Sequence, residues 1–336
     1  MSNIAGNQKE IKKVNRSLIM ESIKKKGSTT RQKIVEDTGV SQTTVRSIIS
    51  ELLKEGEIII NGQGDSTGGR RAEIYSINKN RKLALVIYFS REGLTYNVLN
   101  FIGDKITSGV VYRQRQVTIG ILKEVMDRVL ENYDNISGIV ISVPGVVSKE
   151  GYYSGYELND WVEYPIRKYI RENYNIPVII ENDLNVISLG YAIDKNIEDV
   201  VYICLTSLGA GAGIIVDNKI IDGSTNFAGE IGALPYKDGI INNLLSKEFS
   251  KKECIDITSY LIATVNCILN PQAIVVGGEI FKMDCKKAIV DRLEEISTNK
   301  TLCEIEFNKD EENYAVIGAT KLALKLIDEK VLIVKA

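Results

Sequence analysis

Apolar residues near the start of the chain recur at the spacing of one helical face, from Ile11 to Lys26. The positions on that face are Val14, Leu18, Ile19 and Ile23. Gly27 then suits the end of the helix, because glycine adopts the left-handed conformation without strain. A second short helix is predicted over 30–38, followed by a tight turn at Gly39.

Ser41 opens a third predicted helix, since a serine hydroxyl caps the first backbone amides of a helix well. The apolar stripe of this helix consists of Val45, Ile48, Ile49 and Leu52. The polar residues left on its outer face are Gln42, Thr43, Thr44, Arg46 and Ser47. A helix, a turn and a second helix with a polar face form a pattern typical of reading base edges in the major groove of DNA.

Two short strands and a glycine-rich loop are predicted after the third helix. The strands lie at 57–60 and 72–77, and the loop between them ends in Gly69, Arg70 and Arg71. Glycine permits close approach and arginine supplies positive charge, so this tip suits contact with phosphates or the minor groove. A small helical protein-interaction domain is the alternative, but the order of the elements and the basic tip favour DNA binding.

Beyond Lys82 the pattern changes to strands and helices that run through one order twice. The first round has strands at 83–89, 94–99, 105–112, 136–143 and 178–180, with helices at 117–130 and 161–172. The second round has strands at 200–206, 211–216, 219–221 and 273–276, with helices at 256–269 and 286–296. The repetition predicts two α/β lobes with a cleft between them, the usual place for a ligand.

Composition and charge fit this division of the chain. Its 336 residues are 44% hydrophobic and 26% charged, as in ordinary globular proteins, and no apolar run is long enough to span a membrane. The start lacks the apolar stretch of a signal peptide, so a cytoplasmic location is expected. Residues 1–80 hold 14 basic and 9 acidic side chains, a net of +5, whereas 81–336 hold 28 and 35, a net of −7. The positive charge belongs to the segment with the DNA-binding pattern.

The chain contains no histidine. This excludes Ser-His-Asp hydrolases, HExxH metalloproteases and catalytic zinc held by histidine. Its five cysteines stand well apart, without a CxxC or CxC pair, which indicates reduced and mostly buried thiols. Carboxylates, lysines and cysteines remain as groups for any catalysis.

Polar residues follow two of the predicted strands. The run VPGVV follows a strand at 143–147, and IIENDLN passes from a strand into a helix at 179–185. The turn at Asn182 and Asp183 therefore exposes polar side chains at the carboxyl end of a strand, where α/β proteins hold ligands. Asp183 suits the role of a helix N-cap equally well, and the local sequence does not choose between the two roles.

Segments along nearly the whole chain resemble the ROK family (repressor, open reading frame, kinase). The markers, in family order, are VPGVV, IIENDLN, the run from LTSLGAGAG to AGEIGALPY, PQAIVVGGEI and AVIGATKLA. Residues 14–78 resemble the winged helix-turn-helix of ROK repressors of the xylose and N-acetylglucosamine type.

This resemblance implies an α/β two-lobed fold, actin-like or ribonuclease-H-like as in sugar kinases, preceded by a winged helix-turn-helix. The implied domains are 1–80 and 81–336. Within the second, lobe 1 takes about 81–185 and a C-terminal helix at 315–330, and lobe 2 takes about 186–314.

The resemblance also implies roles for single residues. Asp183 takes the position of the general base of the family's kinases, with Asn182 and Glu230 as sugar contacts. Gly145 and Ala233 complete the candidate ligand site. Gly69 and Arg70 match a Gly-Arg linker, which implies contact with the minor groove, and Arg71 replaces the proline that usually follows.

Three departures from the family pattern argue against catalysis. Tyr88 and Ser90 stand where the phosphate loop DxGxT has its aspartate and first glycine, so a carboxylate and a close backbone approach are lost. Ala233 replaces a histidine that in the family contacts sugar and ligates zinc. The cysteine cluster expected after it is also absent. We therefore expect no catalytic residue, no metal and no cofactor, with Asp183 a vestigial base.

These expectations combine into one functional hypothesis. The chain is expected to be a transcriptional regulator, a repressor of carbohydrate genes, that binds a double-stranded DNA operator as a homodimer or homotetramer and responds to a small sugar. Two alternatives stay open: an active ROK-type sugar kinase, and a regulator whose vestigial cleft is replaced by a protein partner.

Overall fold

The computed structural model describes residues 2–64, 71–89, 93–112, 118–148, 153–154, 164–206, 209–245, 250–278, 284–296 and 303–328. Contacts divide the chain into two compact units. The first comprises Met1–Ala84, Leu99–Ile106 and Leu324–Ala336, and the second comprises Leu85–Val98 and Thr107–Ala323. In the part of the chain that is described, no helix combines the length and the apolar character needed to cross a bilayer.

The first unit begins with three helices and a three-stranded sheet. Its elements are α1 (Ser2–Lys26), β1 (Ser28–Thr30), α2 (Arg31–Thr38), α3 (Gln42–Lys54), β2 (Ile58–Gln63) and β3 (Glu73–Ile77). The strands pair antiparallel in the order β1-β3-β2. The three predicted helices and the two wing strands are confirmed, although α1 begins earlier than predicted and β1 was not predicted.

Local sequence explains the turns of this unit. The Thr30 hydroxyl accepts a hydrogen bond from the Lys33 backbone N–H and so caps α2. Gly39 ends α2 with φ +67°, a left-handed conformation that glycine adopts at little cost. The apolar stripe predicted for α3 is buried along its whole length. Ile19 and Ile23 of α1 are also fully buried.

Two five-stranded sheets form the framework of the second unit. The first contains β4 (Leu83–Phe89), β5 (Gly93–Leu99), β6 (Lys105–Tyr112), β7 (Ile136–Val143) and β10 (Val178–Asn182), in the order β10-β7-β4-β5-β6. The second contains β11 (Val200–Thr206), β12 (Gly209–Val216), β13 (Lys219–Ile220), β16 (Ala273–Gly278) and β17 (Glu304–Phe307), in the order β13-β12-β11-β16-β17. With the strands of each sheet numbered along the chain, both sheets read 3-2-1-4-5. The predicted repetition is therefore confirmed as a repeated topology.

Two small hairpins and seven α-helices follow in the described part of the chain, and the last of these helices ends in the first unit, to which residues from Leu324 belong. The hairpin strands are β8 (Val146–Val147), β9 (Tyr153–Ser154), β14 (Pro235–Tyr236) and β15 (Gly239–Ile240). The helices are α4 (Ile119–Asn132), α5 (Ile166–Tyr174), α6 (Asp183–Lys195), α7 (Ile241–Leu245), α8 (Lys251–Leu269), α9 (Lys286–Ile296) and α10 (Glu311–Ile327). Helix α9 has the predicted bounds, whereas α5 begins later than predicted, after Pro165.

Helix α8 begins five residues before its predicted start at 256. The Ser250 Oγ accepts from the Glu253 backbone N–H, and the Glu253 carboxylate accepts from the Ser250 backbone N–H at 2.7 Å. This reciprocal capping box satisfies two amides that a helix otherwise leaves without partners. The same helix buries Cys254, whose Sγ lies 3.6 Å from the Sγ of buried Cys285. Of the other cysteines, Cys204 and Cys303 are half-buried and Cys267 is exposed.

Helices α6 and α10 cross where neither has a side chain. A Cβ at Gly190 would collide with the carbonyl oxygen of Tyr314, and a Cβ at Gly318 would collide with that of Val186. Glycine is required on both helices because the backbones touch directly. Helix α6, which begins at Asp183, is thereby fixed against α10.

Candidate functional site

The outer face of α3 carries the first group of candidate residues. Gln42, Arg46 and Ser47 are exposed there. The hydroxyls of Thr43 and Thr44 lie 3.0 Å and 2.9 Å from the Oγ of Ser41, the N-cap of the helix. The two threonines therefore stiffen the start of α3, while the neighbouring exposed side chains offer hydrogen-bonding groups to a partner.

Basic residues of α1 pair with acidic residues on α3 and just after it, a feature that the sequence analysis missed. Lys12 Nζ lies 2.8 Å from the Glu51 carboxylate. Arg16 pairs with Glu55 and, at 3.1 Å, with Glu57. Each pairing offsets the negative charge of a carboxylate, so this side of the unit is less acidic than its sequence suggests.

Of the three candidate residues in the wing, only Arg71 lies among the residues that the structure describes. Gly69 and Arg70 lie outside the described residues, so their contact with DNA stays a prediction. Arg71 is exposed beside the base of the loop, where the Gly64 backbone N–H donates to the Ala72 carbonyl at 2.8 Å. Its position leaves the guanidinium open to solvent on the same unit as α3.

The second group of candidate residues surrounds the start of α6. Asn182 ends β10 and caps α6, since its Oδ1 accepts from the backbone N–H groups of Leu184 and Asn185 at 2.9 Å and 3.2 Å. Its Nδ2 donates to the carbonyl of Gly145 at 2.8 Å. The structure therefore gives the N-cap role to Asn182, not to Asp183. Asp183 is the first residue of the helix, and its Oδ1 accepts from Leu184 N–H at 2.9 Å.

A pair of carboxylates joined by one amide lies beside this capped turn. The Nδ2 of buried Asn185 donates to Glu181 Oε1 at 2.9 Å and to Asp222 Oδ1 at 3.2 Å. Burial raises the pKa of both carboxyls. At Glu181 the hydrogen bond from Asn185 lowers the pKa, and the negative charge of Asp222 raises it further. The sequence analysis missed this pair, because the two acids lie 41 positions apart.

Glu230 lies in a tight turn that rests on β12. Gly229 has φ +92°, and its carbonyl accepts from the Ala212 N–H at 2.8 Å. A Cβ at Gly229 would collide with the Ala212 carbonyl, so glycine is required there. The Ala233 N–H donates to the Glu230 carbonyl at 3.1 Å, which brings these two candidate residues into one turn. Burial raises the pKa of the half-buried Glu230 carboxyl.

Two links connect the loop before the Glu230 turn with the start of α6. The loop continues into the turn, because the Ala228 N–H donates to the Asp222 carbonyl at 3.2 Å and the Glu230 N–H donates to the Phe227 carbonyl at 3.3 Å. The first link is the contact between Asn185 and Asp222 described above. The second is the segment 145–147, whose Gly145 carbonyl binds Asn182 and whose Val147 carbonyl accepts from Asn226 Nδ2 at 2.6 Å. Gly145, Asn182 and the Glu230 turn are thus parts of one hydrogen-bonded arrangement with carboxylates and amides, the groups that bind sugar hydroxyls.

Tyr88, which the sequence analysis expected at the position of the family's phosphate-loop aspartate, lies on β4 and is 5% exposed. Burial raises the pKa of this phenol, a hydrogen bond with Asn97 opposes the rise, and the charge of Glu312 adds to it. A buried neutral phenol supplies no charged oxygen to a metal–nucleotide complex. Ser90 lies outside the described residues.

The zinc that the family pattern implies does not fit the residues present. The chain has no histidine, and its cysteines are distant from Ala233 in sequence. Among the described residues, no three His, Cys, Asp or Glu side chains come together as a metal ion requires. The residues after Ala233 form instead the hairpin of β14 and β15, with Pro235 opposite Ile240.

Comparisons with known proteins agree with this architecture. The ROK family model matches residues 111–255. A xylose repressor of Caldicellulosiruptor bescii is 29% identical over 239 residues, which cover 68% of this chain and 60% of that protein. A xylose repressor of Bacillus subtilis is 29% identical over 237 residues, covering 66% of this chain and 60% of that protein. The chain thus spans less than two thirds of the length of these relatives.

A solved structure shares the fold over almost its whole length. It is the crystal structure of a ROK family transcriptional regulator, a homolog of the E. coli MLC protein, and it matches with a TM-score of 0.67 at 17% identity. The match covers 94% of this chain and 98% of that chain. The two-lobed α/β fold behind an N-terminal helical region, expected from the sequence, is confirmed. The chain carries a ROK family domain.

Proposed function

We propose that the chain is a sequence-specific DNA-binding repressor of carbohydrate genes, whose ROK domain binds a sugar that changes its affinity for DNA. The observation that carries this proposal is the capped helix α3, with a buried apolar stripe and an exposed face of Gln42, Arg46 and Ser47. Such a helix beside a wing fits the major groove. The relatives named xylose repressor support the same function.

The ligand side of the proposal rests on Asp183 and Glu230. Their carboxylates belong to two turns that are linked through Asn185 and through the segment 145–147. A sugar that binds one arrangement of these turns better than another shifts the protein between two states and so changes DNA affinity. One recognition helix per chain reads one half-site, so we infer that the active form is a homodimer, or a homotetramer built from two dimers, on a palindromic operator.

The proposed function excludes phosphoryl transfer. In the sequence, Tyr88 replaces the carboxylate that a kinase uses near the metal and the nucleotide, and its burial keeps the phenol neutral. Asp183 then contributes to sugar binding as a hydrogen-bond acceptor without acting as a base. The segment that includes Gly69, Arg70 and Arg71 adds phosphate or minor-groove contacts in this proposal.

The proposal is tested by selecting duplexes from random DNA with the full chain and measuring their affinity by fluorescence anisotropy. A panel of aldopentoses, aldohexoses and N-acetylhexosamines is then added to the complex. We expect an enriched palindrome and one sugar class that changes its Kd at least fivefold, a response that Asp183→Ala abolishes while DNA binding persists.

Three outcomes contradict the proposal. No enrichment of any duplex contradicts the DNA-binding assignment. Phosphorylation of any sugar in the panel above the background ATP turnover supports the kinase alternative. A selected operator that responds to no sugar, in a protein whose unfolding temperature no sugar changes, supports control by a protein partner.

A further inference from the structure

The Glu230 turn is held to β12 by a second contact, in addition to the hydrogen bond between Gly229 and Ala212. After Ala233 the chain forms the hairpin of β14 and β15, closed where the Ile241 N–H donates to the Leu234 carbonyl at 3.2 Å. This hairpin returns the chain to the turn and starts α7, whose Ile241 and Leu245 are fully buried. The second residue of α7 is Asn242.

The Asn242 side chain touches both the turn and the glycine-rich strand β12. Its Oδ1 accepts from the Ala210 backbone N–H at 2.9 Å. A Cβ at Gly232 would collide with the same carboxamide, and a Cβ at Gly209 would lie 2.9 Å from Oδ1. The Asn242 side chain therefore occupies space that is free only because both neighbouring residues, Gly209 and Gly232, are glycines.

We propose that Asn242 is the positioning residue that holds the Glu230 turn on β12, in the place where the family pattern calls for a metal that this chain's residues do not fit. Glu230 then has a support on each side. On one side the Gly229 carbonyl binds the Ala212 N–H, and on the other Gly232 packs against the carboxamide that binds Ala210. The sugar-binding part of this inference rests on the proposed function, whereas the structural part does not.

The hairpin that carries Asn242 is itself anchored. The hydroxyl of Tyr260 on α8 donates to the Pro235 carbonyl at 3.3 Å, and the ring of Tyr260 lies 5.1 Å from that of Tyr236. These contacts fix the path of the chain from the turn to α7. The Asn242 carboxamide can then hold the turn in place with one hydrogen bond and close packing, a role that the ligands of a bound metal ion have in other proteins.

The first experiment follows amide hydrogen exchange in the full chain without any ligand. In Asn242→Ala we expect exchange at the Ala210 and Ala233 amides to accelerate at least tenfold, while that of Val201 in β11 stays within twofold of wild type. Asn242→Asp keeps the acceptor oxygen, and we expect it to restore the Ala210 rate to within threefold of wild type. Asn243→Ala, one residue along the same helix and exposed, is the matched control.

The second experiment adds a strong chelator to the wild-type protein and measures its unfolding temperature and the same amide rates. We expect no change in either. A fall in unfolding temperature, or faster exchange at Ala233, overturns the proposal because a metal then holds the turn. Unchanged Ala210 exchange in Asn242→Ala overturns it as well, and Asn242→Ser gives the same comparison if the alanine variant does not fold.

The third experiment measures affinity for whichever sugar of the panel binds the wild type. We expect Asn242→Ala to weaken it at least tenfold and Asn242→Asp to recover most of the loss, which a merely structural role of the side chain would not produce. Equal affinity in wild type and Asn242→Ala overturns the positioning role. A wild type that binds no sugar contradicts the proposed function, and the exchange and chelator experiments still decide the structural part.

Discussion

Lys24 and Asp328, 304 positions apart in the chain, form an ion pair with Nζ and Oδ2 at 2.8 Å. Lys24 belongs to the last turn of α1, and Asp328 follows the end of α10. The same ammonium lies 3.9 Å from the centre of the Phe101 ring. All three residues belong to the first compact unit, so this unit draws on three distant parts of the sequence.

Replacing Lys24 with methionine should destabilise the first unit. The Lys24 and Asp328 side chains are 23% and 21% exposed, so solvent weakens their attraction only in part. Together with the contact on Phe101, we expect a loss of about 1 kcal/mol in the free energy of unfolding. Urea unfolding followed by circular dichroism measures it. Lys25→Met is the matched control, since Lys25 is exposed on the same helix; an equal loss there would show that the pair contributes nothing.

Replacing Arg46 with alanine should weaken binding to the selected operator. Arg46 is exposed on α3, and an arginine that reads a base contributes about 1–3 kcal/mol, or roughly 5- to 150-fold in Kd. Anisotropy titrations against the operator and against a scrambled duplex give the measurement. Lys219→Ala on β13 removes the same charge from an exposed position of the second unit and should leave Kd within twofold. Equal weakening on both duplexes would assign Arg46 to the phosphate backbone.

Replacing Glu181 with glutamine should change how stability depends on pH. Burial raises the pKa of Glu181 in the folded protein, so the folded state binds this proton more readily than the unfolded chain. Stability is therefore lost as the pH rises from the ordinary carboxyl pKa through the raised folded value. Glutamine keeps an acceptor for Asn185 and does not ionise, so the variant should gain stability relative to wild type across that window.

Urea unfolding at pH 4, 5, 6 and 7 tests this prediction. The half-buried carboxyls of Asp222 and Glu230 remain in the variant, and their raised pKa values act in the same direction, so the difference from wild type is the quantity to compare. Glu124→Gln on α4 is an exposed control. A difference between wild type and Glu181→Gln that is constant with pH would contradict the assigned shift.

Replacing Gly318 with alanine should be strongly destabilising. The new Cβ would meet the Val186 carbonyl, and forced overpacking of this kind costs about 2–3 kcal/mol. Gly120→Ala is the matched control, since a Cβ there would lie 3.5 Å from the Thr118 Oγ1, in ordinary contact. Helix propensity predicts that this control gains about 0.5–1 kcal/mol. Thermal and urea unfolding of both variants decide whether space or flexibility governs these positions.

The spacing of apolar residues correctly predicted helices with one buried face. Val45, Ile48, Ile49 and Leu52 are buried in α3 as expected, and α9 has its predicted bounds. The start of α8 could also have been predicted, because Ser250 and Glu253 have the spacing of a capping box. It was missed because the first turn of the helix is charged and adds nothing to the apolar pattern. Strand β1 has no apolar alternation. It is a strand because Thr29 pairs with Tyr75 of β3, and that partner is distant in sequence.

The candidate site was less accessible to sequence reasoning, since its geometry depends on contacts between distant segments. Asn182 and Asp183 were identified as a polar turn, but which of the two caps α6 depends on the position of Gly145. Glu181 stood next to them in the sequence without any sign that Asn185 would join it to Asp222. Asn242 had no signal, because its partner Ala210 is 32 positions away.

The crossing of α6 and α10 also limits how the second unit can move. Backbone touches backbone at Gly190 and Gly318, so neither helix can roll about its axis or slide along the other without a collision. Asp183 is the first residue of one of these helices. A displacement at the start of α6 is therefore passed on to the part of α10 around Gly318, which lies in the same unit.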